Sequence, residues 1–225
     1  MIIVGGRVLL EYGDVAAISY LASARKSVLS MLFGKYIENH IIELDRSLAD
    51  LGVDDIGGLS TTEKQATVRD LLSARSGVYH EATNPGDDLA LAPLRGSQPH
   101  GRYYLYSNWD FNVLGTIFEQ ETGRNIYDAL ETDLARPIGM QDFDRTLQLK
   151  VNLNPLGSSH LAYHMNLSTR DMARLGYLML REGRWRDQQV IPRSWVLQST
   201  RIVTPVTEMN PVKRRAGRFG YGYLW

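Results

Sequence analysis

No cysteine occurs among the 225 residues. That absence excludes disulfides, thiol nucleophiles and cysteine-ligated zinc together. No excess charge of either sign is present, because 25 Lys and Arg are balanced by 25 Asp and Glu. A chain of zero formal net charge lacks the electrostatic footprint of a nucleic-acid binder. Its densest basic run, Lys213-Arg214-Arg215 with Arg218, is short and reads as a solvated loop. No apolar run reaches the length of a membrane span. Residues 1–14 lack a secretory layout: there is no basic start, Gly5-Gly6-Arg7 breaks the apolar runs, and Glu11 and Asp14 follow. The expected compartment is therefore the cytoplasm, with the periplasm or secretion expected instead if the N-terminus is incomplete.

Two common hydrolytic devices are also missing. No G-x-S-x-G elbow is present, which disfavours a Ser-His-Asp arrangement. No H-E-x-x-H is present either. His160 and His164 are four residues apart but have no clear third ligand, so they read as loop histidines. His40, His80 and His100 are scattered, and His80 reads as a solvated loop residue. There are no repeats, no low-complexity tracts and no linker that would divide the chain.

What is present is ordinary globular material, 44% hydrophobic and 22% charged. Its length suits one sizeable core, so residues 1–225 are expected to form a single domain with a helical region over roughly 23–200. Apolar runs either side of Gly5-Gly6 predict a strand pair or a bent strand over residues 2–12. Val28, Leu29, Leu32, Tyr36 and Ile37 give helical spacing over 23–39, and Met31 and Phe33 widen the apolar face enough to make that helix central. A short amphipathic segment over 41–52 leads to a turn at Gly57-Gly58. Further helices are predicted over 67–73, with Gly77 as cap, over 109–122, stopped by Gly123, and over 126–135, ended by Pro137. Two more are predicted, over 170–181 and from Pro192 to Ser199. Residues 81–101 read as a long loop, 141–160 as irregular and 201–218 as a polar loop, while Phe219–Trp225 reads as a strand.

The chemistry gathers at Ser23, Lys26 and Tyr106. Ser23-Ala24-Arg25-Lys26 is a Ser-x-x-Lys motif at the start of the apolar helix. Residues three apart share a helix face, so the amine can reach the hydroxyl. Burial and the positive helix end disfavour the ammonium form, and a neutral lysine can take the serine proton. Taken alone the motif arises often by chance, and a helix cap beside a surface lysine explains it. Tyr106-Ser107-Asn108 precedes another helix, where a phenol can relay a proton and an amide can hold a carbonyl or the lysine. A core tyrosine followed by an ordinary cap explains that tripeptide equally well.

Together, Ser-x-x-Lys followed by Tyr-x-Asn resembles the signature order of the penicillin-recognising serine hydrolases: class C β-lactamases, D-amino peptidases and carboxylesterases. Ala22 to Ser27 resembles that family's nucleophile segment, and Thr67 to Gly77 its stretch ending in Ser-Gly. Leu134-Ala135-Arg136-Pro137-Ile138-Gly139-Met140 resembles its Pro-Leu-Gly-Met turn. Leu167 to Arg174 and Val190 to Val196 resemble a later helix start and a Leu-Pro-Ser-Trp-Val segment. Tyr-Ser-Asn and the closing Tyr-Gly-Tyr-Leu-Trp look most like the branch holding 6-aminohexanoate-dimer hydrolase and esterase-type relatives.

The resemblance implies an α/β (α+β) fold of β-lactamase/transpeptidase type, with an antiparallel sheet beside a mostly helical region. It implies Ser23 as acyl-accepting nucleophile, Lys26 as base, Tyr106 as proton donor and activator of the deacylating water, and Asn108 as the residue that positions substrate and lysine. The Ser23 backbone N–H would supply half of an oxyanion hole. No metal or organic cofactor is implied, and the partner is a small ester, amide or β-lactam. An esterase or small-amide hydrolase is expected ahead of a true β-lactamase. Nothing in the sequence indicates an oligomeric state.

The pattern breaks after Asn108, where no Lys-Thr-Gly or matching His-x-Gly follows. The strand carrying that third motif and the closing helix are therefore expected to be missing, leaving a sheet edge unpaired and apolar faces uncovered. On this reading the chain is a truncated serine hydrolase. The alternative is a non-catalytic or stoichiometric penicillin-binding or sensor-like module, inactive through loss of that motif.

Overall fold

The computed structural model describes residues 1–225. Gly5 and Gly6, both at positive φ, turn strand β1 (Ile2–Val4) back on β2 (Arg7–Leu10) as an antiparallel hairpin. That hairpin pairs with nothing else and shows Ile2, Val4, Val8, Leu9 and Leu10 to solvent. A short strand, β3 (Ile18–Tyr20), leads through a 3₁₀ turn at Ala22–Ala24 into α1 (Arg25–Glu38).

Helix α1 is apolar on most of its circumference, so it is covered on most of it. Val28, Leu29, Leu32, Phe33 and Tyr36 are all buried. The next helix, α2 (Val68–Leu72), starts at Thr67, whose side chain and that of Asp70 satisfy each other's backbone N–H groups. The left-handed residue that follows is Ala74, and Gly77 lies further along the loop. Helix α3 (Asn108–Thr122) is capped by the Ser107 hydroxyl, and Gly123 at φ +64° closes it. Phe118 of α3 meets Phe33 and Tyr36 of α1 at ring separations of 5.7 and 5.1 Å.

Beyond α3, α4 (Ile126–Ala129) starts at Asn125 and widens into a π-helical turn over Leu130–Ala135. Strand β4 (Leu149–Val151) falls inside the stretch expected to be irregular and pairs with β5 (Ala162–His164). Strand β6 (Asn166–Ser168) pairs with β3, Tyr20 facing Asn166 and Ile18 facing Ser168. Ser168 then caps α5 (Thr169–Leu180). A two-residue hairpin, β7 (Arg184–Trp185) with β8 (Gln188–Gln189), precedes α6 (Arg193–Ser199). Trp195 of α6 lies against Gly34 of α1 and donates its indole N–H to the Ser30 carbonyl at 2.7 Å.

The fold is thus mixed: a helical body with antiparallel strands in four two-stranded pieces. No helix is long and apolar enough to cross a membrane. The expectation of a strand over Phe219–Trp225 is corrected. Tyr221 makes one antiparallel bridge to Thr204, and Leu224 then enters the left-handed region at φ +65° and leaves the extended path. Its N–H bonds to Leu72 O and its carbonyl accepts from Ser27 Oγ at 2.8 Å, so this segment packs beside the first turn of α1.

Candidate active site

Strand β3 and the 3₁₀ turn place Ser23 at the mouth of a cleft of about 310 Å³. Leu21 is held by a backbone bond to Met165 O, and Ala22 is forced to φ +48°, an uncommon conformation for a residue with a Cβ. The chain therefore reverses just before Ser23, which is left exposed while Lys26 behind it is buried. The first turn of α1 brings the Lys26 amine to 3.3 Å from Ser23 Oγ.

Helix α3 delivers the other side chains. Tyr106 and Asn108 lie at its start, and Lys26 Nζ donates to the Tyr106 hydroxyl at 2.5 Å and to Asn108 Oδ1 at 2.8 Å. The rings of Tyr106 and Phe111 flank the amine at 4.3 and 4.5 Å. Asn108 is itself fixed: its Nδ2 donates to Pro85 O at 2.8 Å and its backbone N–H to Asp87 at 3.1 Å. Of the four expected site residues, Ser23, Lys26, Tyr106 and Asn108 all come together. Asn108 turns its amide hydrogens toward the 84–86 loop rather than the open cleft.

The electrostatics of the amine are unusual. Burial first, then the neighbouring Arg25 and the more distant Arg214, lower the Lys26 pKa to about 6 against the attraction of Asp87. Above that value the amine is neutral, with two N–H donors and one lone pair. Asn108 Oδ1 can only accept, so it takes one of those donors. The lone pair is then free to face an O–H group such as that of Ser23. Burial raises the Tyr106 pKa, so the phenol keeps its proton at neutral pH, although Ser23, Arg25 and Arg214 pull the other way.

Sequence reasoning overlooked several residues here. Asn84, Pro85 and Gly86 line the cleft from within the long 81–101 loop, and Tyr20 and His164 flank it with rings 4.4 Å apart. Arg214 was expected in a solvated run. Its guanidinium instead lies 5.2 Å from the centre of the Tyr106 ring and pairs with buried Asp88 at 2.7 Å. A paired charge can be drawn inward where a run of charges suggests only solvent. Two histidine expectations are corrected as well. His80 is buried, with its ring nitrogens on the Glu81 and Ile56 carbonyls. His160 is buried between Thr116 and the Asp54 carbonyl, while His164 lies on β5.

A Ser-x-x-Lys helix start backed by Tyr-x-Asn from a second helix, beside antiparallel strands, defines a β-lactamase/transpeptidase-like fold. The chain belongs to the β-lactamase family, whose model matches residues 1–225. Among solved structures it is similar to a protein described as a β-lactamase from Bacteroides dorei (TM-score 0.63, 19% identity, covering 87% of this chain and 61% of that one). It is also similar to a penicillin-binding protein from Bacillus halodurans (TM-score 0.63, 16% identity, 94% of this chain and 70% of that one). A third neighbour is described as a 6-aminohexanoate-dimer hydrolase from Bacillus anthracis (TM-score 0.66, 18% identity, 94% of this chain and 59% of that one). Likeness at these identities is likeness of fold. The chain spans about three fifths of the length of the first and third of these proteins. No curated protein matches it.

Proposed function

We propose that this domain is a serine hydrolase that works through an acyl-enzyme on Ser23, with an ester or small amide as substrate ahead of a β-lactam. The observation that carries the reading is the buried Lys26 amine, lowered to a pKa of about 6 and within reach of Ser23 Oγ, the Tyr106 hydroxyl and Asn108 Oδ1. Three chemically apt partners around one desolvated amine exceed what a helix cap requires.

Ser23 Oγ attacks the carbonyl carbon while its proton passes to Lys26 Nζ. The developing oxyanion faces the Ser23 N–H at the helix start. Tyr106 gives its phenolic proton to the leaving oxygen or nitrogen as the carbonyl bond to that group breaks. The Lys26 ammonium restores the phenol's proton. Water then attacks the ester on Ser23, giving its proton up through the same pair, and Ser23 regains its own. Asn108 holds the amine in register throughout. Its contact with Pro85 O supports a positioning role toward the lysine more directly than one toward substrate.

The test is intact-mass spectrometry of the chain with a fluorophosphonate, a penicillin and a p-nitrophenyl ester, beside the Ser23→Ala variant. One adduct per chain, absent from Ser23→Ala, with release of p-nitrophenol beyond one equivalent, is the expected result. A single adduct without turnover would assign the chain to the stoichiometric binding modules instead. An adduct of full yield on folded Ser23→Ala would overturn the nucleophile.

A further inference from the structure

Arg25 is a charged side chain of the nucleophile segment whose position the proposed chemistry does not use. It opens α1 between Ser23 and Lys26, and only 1% of it is exposed. No carboxylate pairs with it. Its single hydrogen bond runs from Nη2 to Asn112 Oδ1 at 3.4 Å, its guanidinium lies 4.8 Å from the centre of the Tyr163 ring, and its buried Nε has no partner. The Tyr163 hydroxyl beside it is also buried and unpartnered.

A buried cation without a counter-charge is costly, and removing such a charge commonly stabilises a protein. An arginine cannot escape that cost by losing its proton. A lysine can. Where the two share one desolvated region, the repulsion between them is relieved by deprotonating the lysine, so the arginine acts as a fixed charge and the lysine as the variable one. We propose that Arg25 is a positioning residue of electrostatic kind, a permanently charged, unpaired guanidinium that keeps the adjacent Lys26 amine neutral and therefore able to accept the Ser23 proton. This rests on the acyl-enzyme reading above.

The other groups facing Lys26 leave room for that role. Tyr106 and Asn108 from the start of α3 are uncharged at neutral pH. Asp87 in the 84–87 loop favours the ammonium, and Arg214 in the 212–216 turn opposes it. Arg214 is neutralised in part by Asp88, whereas Arg25 has no such partner. His164 on β5 has its pKa lowered by burial and then by Arg25, so at neutral pH it adds no charge that would replace Arg25. Among the charged neighbours Arg25 is the largest contributor to the Lys26 shift.

The experiment follows the Lys26 side chain directly, by carbon-detected NMR titration of lysine-labelled protein assigned with Lys26→Met. Fluorophosphonate labelling of Ser23 is measured over the same pH range. In the natural sequence Lys26 should titrate near pH 6 and labelling should fall below that pH. In Arg25→Met and Arg25→Gln, whose folding is checked by circular dichroism, both midpoints should rise together by roughly one to two units, which lowers labelling at pH 7 about two- to ten-fold. Arg25→Lys replaces the fixed charge with an amine that can itself lose its proton, so it should restore only part of the shift. A Lys26 midpoint near 10 in the natural sequence would overturn the proposal before any variant is made. So would an unchanged midpoint in a folded neutral variant. A midpoint that moves as expected in a protein that never labels at Ser23 would leave the role of Arg25 toward Lys26 standing and remove the acyl-enzyme reading.

Discussion

A lysine beside a serine is useless as a base while it is protonated, and at neutral pH an ordinary lysine is almost always protonated. Lys26 escapes this because it is buried and because Arg25 and Arg214 face it. The same burial has a thermodynamic sign. The unfolded chain holds a proton on this amine up to about its ordinary value of 10.5, while the folded chain releases it near 6. Between those values the unfolded state binds more protons, so the burden that Lys26 places on stability is full below 6 and fades as pH rises toward 10.5. Lys26→Met should therefore raise the melting temperature at pH 6, with a gain over the natural sequence that shrinks toward pH 10, while Ser23 labelling is lost. An equal gain at both pH values in thermal melts would mean that the amine keeps its ordinary proton affinity on folding and stays charged at neutral pH, against the lowered value. Tyr106→Phe keeps the ring packing against Phe111 and removes only the hydroxyl, and it should slow ester turnover about 10²-fold or more with little change in melting.

Helix α1 follows directly on the turn that carries Ser23, the proposed nucleophile, and it is held by how closely its neighbours approach. Gly34 lets the Trp195 ring of α6 lie where a side chain would otherwise stand, since a Cβ at position 34 would come within 2.5 Å of Trp195 Cδ1. Gly34→Ala should thus overpack the contact and lower stability by about 1–3 kcal/mol in urea unfolding, despite the better helix propensity of alanine. An unchanged or raised midpoint would mean that α6 shifts freely. The site end of the same helix depends on β3 and β6. Their pairing ties Ile18–Tyr20 to residues far along the chain and fixes where Ala22 must reverse.

At the scale of the whole molecule, Asp55 links segments that the sequence keeps far apart. Its carboxylate accepts from the Trp109 indole at 2.7 Å, from the Ser159 N–H at 2.7 Å and from the Ser158 and Ser159 hydroxyls, with His80 at 3.6 Å. Burial alone would raise its pKa, but the bonds from Ser158, Ser159, Trp109 and Ile56 outweigh that and hold it at about 2. A depressed carboxylate stabilises the fold above its unfolded value of about 3.8, and that contribution is lost as pH falls toward 2. Asp55→Ala should cost about 2–4 kcal/mol at pH 7, because buried donors lose their acceptor, and the difference from the natural sequence should narrow in melts taken below pH 4. A constant difference down to pH 2 would count against a charged Asp55.

The sequence by itself determined the parts of this protein that are local. The stop at Gly123, the Gly-Gly hairpin and the helix opened by Pro192 each act through neighbours within a few residues, so their chemistry is readable along the chain. The nearness of Ser23 and Lys26, one helical turn apart, was legible for the same reason, but not their chemistry, since the motif alone reads as a helix cap beside a surface lysine. Tyr106 and Asn108 were legible only through the order of motifs that the family resemblance supplied, because nothing local says that α3 starts where α1 starts. Tertiary structure alone decided the rest. It paired β3 with β6, bent Leu224 out of the expected strand to lie beside α1, and brought Arg214 onto the Tyr106 ring. It also decided which ionisable groups are deprived of water, and so that the Lys26 amine is neutral at pH 7. The physical reason is common to all of these: burial and long-range pairing are properties of where distant segments meet, and a charge changes its proton affinity only when that meeting removes its solvent.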